Sequence, residues 1–384
     1  MKDLRANYRE FLQHHQGELH CAPHSHHYWP DVTLAGHQQY WLDSAKWVDD
    51  KWNVVLGERL RRAQQLLSEL VNHPYPEQWV FASNTHELLY RILSCFAPSQ
   101  PLRILTTDSE FHSFRRQALR LQERETVTID RVACDPIDSF PQRWQEAVKR
   151  SHYDVIFISQ VFFNSGFVAP WVEQWLDEVS DETVVVIDGY HGCGALPTDL
   201  ANVADRIFYL AGGYKYLQAG EGACFMSVPK GTKMRPEYTG WYADFANLEK
   251  AQQQRVEYAD NGFRFAGSTM DYTAMYRLIA VLEWWQRDGI TVAKQHQYIE
   301  QLQQAFLQHI DQLRHPLLNR DHLLYRQNQP HGHFFAFEFD TEEQVQELSK
   351  RLKSQKVLTD HRGKRLRFGF APYQRPDDYR QIKG

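Results

Sequence analysis

Short apolar runs rich in β-branched residues recur through the middle of the chain. They are WVFAS (79–83), RILTT (103–107), TVTIDRVAC (126–134), YDVIFISQV (153–161), TVVVIDG (183–189), RIFYLAG (206–212) and GACFMSV (222–228). Most gaps between them carry helical patterns, such as THELLYRILSCFA and QRWQEAVKR. Strands that are apolar on both faces and alternate with helices predict an α/β domain with a mostly parallel seven-stranded sheet flanked by helices. The last two runs lie close together, which predicts an antiparallel edge there. Before the repeat, residues 1 to about 72 read as helices broken by the loop CAPHSHHYWPD. After it come helical stretches at 271–288 and 291–313, a half-exposed strand HFFAFEFD, a short helix at 341–353 and a strand RLRFGF. That alternation predicts a smaller α+β C-terminal domain, with QNQPHGH (327–333) as a turn. The expected division is an N-terminal segment over 1–50, a large domain over 51–250 and a small domain over 251–384.

Composition narrows the setting. A chain of 384 residues exceeds one small core. A net charge of −5 gives no support for a nucleic-acid or acidic-membrane partner. No apolar run is long enough to cross a bilayer, and MKDLRANYREFLQHH lacks a signal-peptide core, so a cytoplasmic location is expected. Five cysteines without a CxxC pair fit reduced thiols rather than disulfides or a zinc site. The loop histidines His24, His26 and His27 do not preset a tetrahedral site, so no metal is expected. The 19 histidines and 14% aromatic share suit a site that stacks and hydrogen-bonds a flat ligand.

In open α/β sheets, ligands sit beyond the carboxyl ends of the strands. After VVVI come Asp188 and His191, in IDGYHGCGALP. An acidic strand end with a glycine-rich turn accounts for that pair equally well if it is taken alone. The next strand leads into AGGYKYLQAGEGACFM, where Lys215 stands between Tyr214 and Tyr216. Adjacent strands would then present a carboxylate, an imidazole and an amine to one crevice. That set fits pyridoxal phosphate: the amine forms a Schiff base, and the carboxylate keeps the ring nitrogen protonated. FASNTHELL offers Ser83, Asn84 and Thr85 at a helix start for the phosphate. Asn84 with Glu87 three residues later also reads as a plain capping pattern. No GxGxxG follows an early strand, which argues against a dinucleotide enzyme.

Taken together, YKYLQAGEGA, IDGYH and ISQVFFNSG resemble kynureninase-like members of the class V aminotransferase superfamily, pyridoxal-phosphate enzymes of fold type I. The likeness runs in order over roughly residues 20–375. It implies that Lys215, after Tyr214, carries the cofactor, and that Asp188 and His191 are the family's Asp-x-x-His. It implies further cofactor contacts from Ser159, and from Trp241 in Gly240–Trp241–Tyr242. Either Phe111 or His112 would stack on the ring. Arg367 in LRFGFAPY matches the arginine that binds the substrate carboxylate. The chain departs from the pattern at several points. Ser165 replaces a threonine, Gly267 replaces an asparagine that reaches the neighbouring subunit's cofactor, and Ser268 or Thr269 stands next to it. His24 and Ser25 replace an Asn-Ser pair, and these changes leave the substrate open.

The resemblance implies a homodimer with shared sites, acting on a small α-amino acid through an external aldimine and a quinonoid. Cleavage of a Cβ–Cγ or C–S bond is favoured. Transfer of the amino group to a keto acid is the alternative, and a non-catalytic pyridoxal-phosphate-binding regulator is the alternative of another kind. No cysteine lies in the C-terminal third, which disfavours a cysteine desulfurase with its mobile nucleophilic thiol.

Overall fold

In the computed structural model, which describes residues 3–247, 255–325 and 329–384, the apolar runs become the strands of one sheet. Helix α1 (Arg9–His14), strand β1 (Leu19–His20), α2 (Val32–Trp47) and α3 (Leu60–Leu70) come first. The sheet strands are β2 (Trp79–Ala82), β3 (Leu102–Thr107), β4 (Val127–Val132), β5 (Val155–Ser159), β6 (Val184–Asp188), β7 (Ile207–Gly212) and β8 (Cys224–Ser227). Helices α4 (Thr85–Leu93), α5 (His112–Gln122) and α6 (Phe140–Arg150) connect the earlier ones.

Across the sheet the order is β2-β8-β7-β6-β5-β3-β4. All neighbours pair in parallel except β8, which runs antiparallel to both β7 and β2. The short connection fixes the direction of β8 as expected, but β8 is not an edge. All four of its residues are buried, as an interior strand requires, and β2 closes the sheet outside it.

The two main apolar cores among the described residues follow from this. The larger includes the sheet and α7 (Thr273–Arg287), which packs with α2. The smaller gathers α8 (Val292–Leu313), β9 (Phe334–Glu338) and α9 (Glu342–Ser354) around Phe306 and Phe368. A capping box between Thr341 and Gln344 starts α9. Strand β10 (Val357–Leu358) pairs in parallel with β1, which ties the N-terminal segment to the smaller core. Strands β11 (Asp360–Arg362) and β12 (Arg365–Gly369) form a hairpin that sets Asp360 opposite Arg367. The expected turn at 327–333 lies partly outside the described residues. Among the described residues no helix is long and apolar enough to cross a membrane.

The parallel register positions the chemistry. Ser159 stands opposite Asp188, and Asp188 opposite Leu210, so β5 and β6 end level and β7 runs two residues further, toward Lys215.

Candidate active site

A cavity of about 480 Å³ opens beyond those strand ends, within the range usual for small-ligand sites. The loops after β2, β3, β5, β6 and β7 each contribute to its wall.

The β2 loop delivers Asn84 and Thr85. Asn84 caps α4, its side-chain oxygen accepting the Glu87 N–H at 2.9 Å. Glu87 does not return to the cap, because its carboxylate takes Arg91 at 2.6 Å. The N–H groups of Thr85 and His86, in the first turn, have no partner inside the helix and suit an anion.

The β3 loop delivers Phe111, 40% exposed, with the Lys215 ammonium nitrogen 5.7 Å from its ring centre. His112 turns outward instead. Its ring packs on Phe163 at 5.3 Å and lines a separate charged hollow with Arg362 and Lys364. Of the two stacking candidates, Phe111 is the one on the cavity.

From β5, Ser159 lines the wall and donates its hydroxyl to Glu110 at 2.5 Å. Glu110 also accepts the Ser159 N–H at 3.1 Å and the Thr107 hydroxyl at 2.7 Å. Burial pushes the Glu110 carboxyl up to about 8, against the pull of these donors.

From β6, Asp188 accepts the Tyr190 N–H at 2.9 Å. Burial raises its carboxyl to about 6, while that N–H and Lys215 oppose the rise. Lys215 is buried, and its nitrogen meets His191 Nε2. Burial, then the Arg367 cation, lowers the amine to about 7, with Asp188 opposing. Burial, then the charges of Lys215 and Arg367, hold His191 far below its ordinary value, so its ring is neutral. Tyr190 and Tyr214 flank the amine, at 5.3 and 5.8 Å from ring centre to nitrogen. The loop beyond Lys215 turns through Gly220 at φ +71°, where a Cβ would lie 2.5 Å from the Trp29 ring. Only glycine meets both conditions.

The amine shift gives a first prediction. A lysine near 7 becomes a nucleophile as pH rises through neutrality, rather than near pH ~10.4. The rate at which cofactor-free protein captures pyridoxal phosphate should therefore rise about tenfold per pH unit below 7 and level off above it. A rate that keeps climbing to pH 9 would contradict this; stopped-flow absorbance reads it.

Five further candidates do not line this cavity in the same chain. Trp241 is 43% exposed and packs at a tilt against Tyr242 and Phe245. Ser268 lines a smaller hollow of about 160 Å³ with Glu87 and Arg91, on the other side of Ser83. Ser25 is half-buried, its hydroxyl 3.4 Å from His26 Nδ1. His24 is fully buried against Phe334, 3.6 Å from Asp360. Arg367 stands behind Phe163, giving one Nη to the Phe163 carbonyl and the other to Asp360. All five therefore lie outside the cavity wall of the single chain. Strand and loop ends fix the cavity, and these residues sit on other elements.

The wall also holds residues not singled out in the sequence. Tyr190 lies inside IDGYH and Phe163 lies next to matched positions, so the strand-end rule could have found them; Glu110, also missed, stands behind the wall and holds Ser159. Cys224 is buried and also lines the cavity. Asp360 gave no signal until the hairpin register placed it opposite Arg367.

The donor set fits a pyridoxal phosphate: an amine, a carboxylate facing it, an exposed aromatic ring and a helix N-terminus beside hydroxyls. The fold and site thus define a fold type I pyridoxal-phosphate enzyme. Residues 30–365 match the class-V aminotransferase family model, and the chain belongs to that family, with pyridoxal phosphate as its cofactor. No curated protein sequence matches the chain. Among solved structures, a variant of C-DES with glycine covalently linked to its cofactor superposes with a TM-score of 0.82 at 17% identity, covering 98% of this chain and 97% of that one. The cystine C–S lyase C-DES with its product cysteine persulfide gives 0.80 at 18% identity, over 96% and 97%. Cysteine desulfurase from Thermococcus onnurineus NA1 gives 0.79 at 15%, over 99% and 95%. At such identities the likeness is one of fold. None of these three is a kynureninase.

Proposed function

We propose that this enzyme is a lyase that cleaves the C–S bond of a cysteine-type amino acid and releases the sulfur directly, without loading it on an enzyme thiol. The state of the cysteines carries the reading. Cys224 is the one cysteine in the cavity wall among the described residues, and burial raises its thiol to about 11. Its sulfur lies 3.6 Å from the Tyr190 hydroxyl on a sheet strand, so it is neither a thiolate nor mobile. The fold likeness to a cystine C–S lyase supports the same branch.

In this reading Thr85 and the first N–H groups of α4 hold the phosphate, Phe111 covers one ring face, and Asp188 pairs with the ring nitrogen. The bound cofactor supplies an electron sink for the pair released at the substrate Cα. Lys215, already low in pKa, takes the Cα proton on Nζ. His191, neutral and touching that nitrogen, orients it, while burial and the Arg367 charge keep the ammonium form short-lived. Arg367 orients the substrate through its α-carboxylate. Apolar walls from Phe111, Phe163 and Leu89 limit water around these groups.

Cystine, S-alkyl cysteines, cysteine and kynurenine should be tested side by side with the holoenzyme. The expected products from a sulfur substrate are pyruvate, ammonia and a thiol or persulfide, and the intact protein should keep its mass after turnover. Pyruvate from none of the sulfur amino acids, or an enzyme cysteine that gains one sulfur atom, would overturn the proposal. Arg367→Ala should raise KM by about ten- to a hundredfold, the worth of a charge-assisted pair, with cofactor retained. Loss of cofactor instead would remove Arg367 from the substrate role.

A homodimer belongs to the same reading. Helix α2 exposes Leu34, Trp41 and Leu42 on one element, an apolar face suited to a second copy. Trp241 and Ser268 would then serve the neighbour's site.

A further inference from the structure

The Arg367 guanidinium is already half answered within its own chain. Its Nη1 donates to the Phe163 carbonyl and its Nη2 to Asp360 Oδ2, while Nε is buried without an acceptor. A guanidinium binds a carboxylate best through a two-pronged fork. Asp360 meets one prong only, and the buried Nε–H waits.

We propose that Asp360 is a built-in occupant of the substrate-carboxylate position, and that an incoming α-carboxylate displaces it toward Arg362 and His24. The inference rests on the reading of Arg367 as the carboxylate-binding residue. Three features of the hairpin carry it.

The first is register. Asp360 and Arg367 are direct cross-strand partners, so their side chains meet with no loop to order, and they can part by a side-chain rotation. The second is the set of alternative partners. Arg362 Nη1 lies 3.4 Å from one Asp360 oxygen, and His24 Nε2 lies 3.6 Å from the other. A displaced Asp360 is therefore not left as an unpaired buried charge, which would forbid the movement. The third is His24 itself, fully buried with no hydrogen-bond partner on either ring nitrogen. Phe334 stacks on its ring at 4.8 Å, and Gly369 clears the other side, where a Cβ would come within 2.4 Å of Nδ1. The ring is fixed in place with donor capacity unused, facing Asp360.

The consequence is selectivity. Any carboxylate must outcompete an acid that is already in place. A ligand held by its carboxylate alone is disfavoured, whereas an amino acid also anchored through its amine gains enough to displace Asp360. The device screens out simple organic acids and keeps amino acids.

The test is calorimetric titration of the holoenzyme with propionate, a carboxylate without an amine. Asp360→Asn should bind propionate ten- to a hundredfold tighter than the wild type, the equivalent of one charge-assisted hydrogen bond released. Arg362→Ala, a change on an exposed residue that does not touch Arg367, should weaken propionate several-fold by removing a refuge for Asp360. Equal or weaker binding by a folded Asp360→Asn overturns the proposal. If that variant does not fold, undiminished binding by Arg362→Ala overturns it. Arg367→Ala separates the two levels. Propionate binding untouched by that change rejects the carboxylate role itself. Binding lost there, but not improved in Asp360→Asn, rejects only the built-in occupant.

Discussion

Lys215→Ala is expected to lower turnover by a factor on the order of 10⁴, because it removes a covalent anchor and a base at once. Among the described residues Lys215 is the only lysine in the cavity wall. Its nearest basic neighbour, His191, is held neutral far below its ordinary value and is a poor substitute. Borohydride reduction of the wild type should fix the cofactor to the peptide that contains Lys215. The variant should bind cofactor without becoming labelled. Label on another lysine, or more than a tenth of wild-type turnover in the variant, would sink the assignment.

Asp188→Asn is expected to cost about 10³ in kcat, the order seen when a charge placed for a transition state is removed. The change is nearly isosteric and still offers an oxygen to the Tyr190 N–H, so the strand end should keep its shape. What would disappear is the negative charge proposed to pair with the ring nitrogen. A cofactor analogue methylated at that nitrogen carries a permanent positive charge and should restore part of the rate in the variant. No rescue would mark Asp188 as structural. The sign of the pH dependence follows as well. A cationic ring lowers the carboxyl from about 6, so the acid limb of wild-type turnover should lie below pH 6, and turnover should fall as Asp188 takes up a proton.

Much of the fold was legible because buried parallel strands read as continuous apolar runs, and β5, β6 and β7 appear where such runs occur. Strand order was not legible. The antiparallel sense of β8 follows from its short connection, but the closure by β2 joins segments more than a hundred residues apart. Lys215, Asp188 and Ser159 were accessible because they lie at or just after strand ends. Arg367 was found by resemblance, yet its side chain points to Asp360 and Phe163 rather than into the cavity. That pairing depends on hairpin register, which no local pattern states. Phe111 and His112 could not be told apart in sequence, since only the start of α5 decides which ring faces inward.

The level ends of β5 and β6 bear on assembly as much as on chemistry. Ser159 stands opposite Asp188 only in one pairing, and a slip of one strand by one residue would turn its side chain to the opposite face. Parallel neighbours cannot close as local hairpins, and each must wait for a connecting segment to fold. No fragment of the sheet can hold the ligand alone. During refolding, the gain of helix signal should run ahead of the gain of visible colour, and colour would report the last alignment rather than the first collapse.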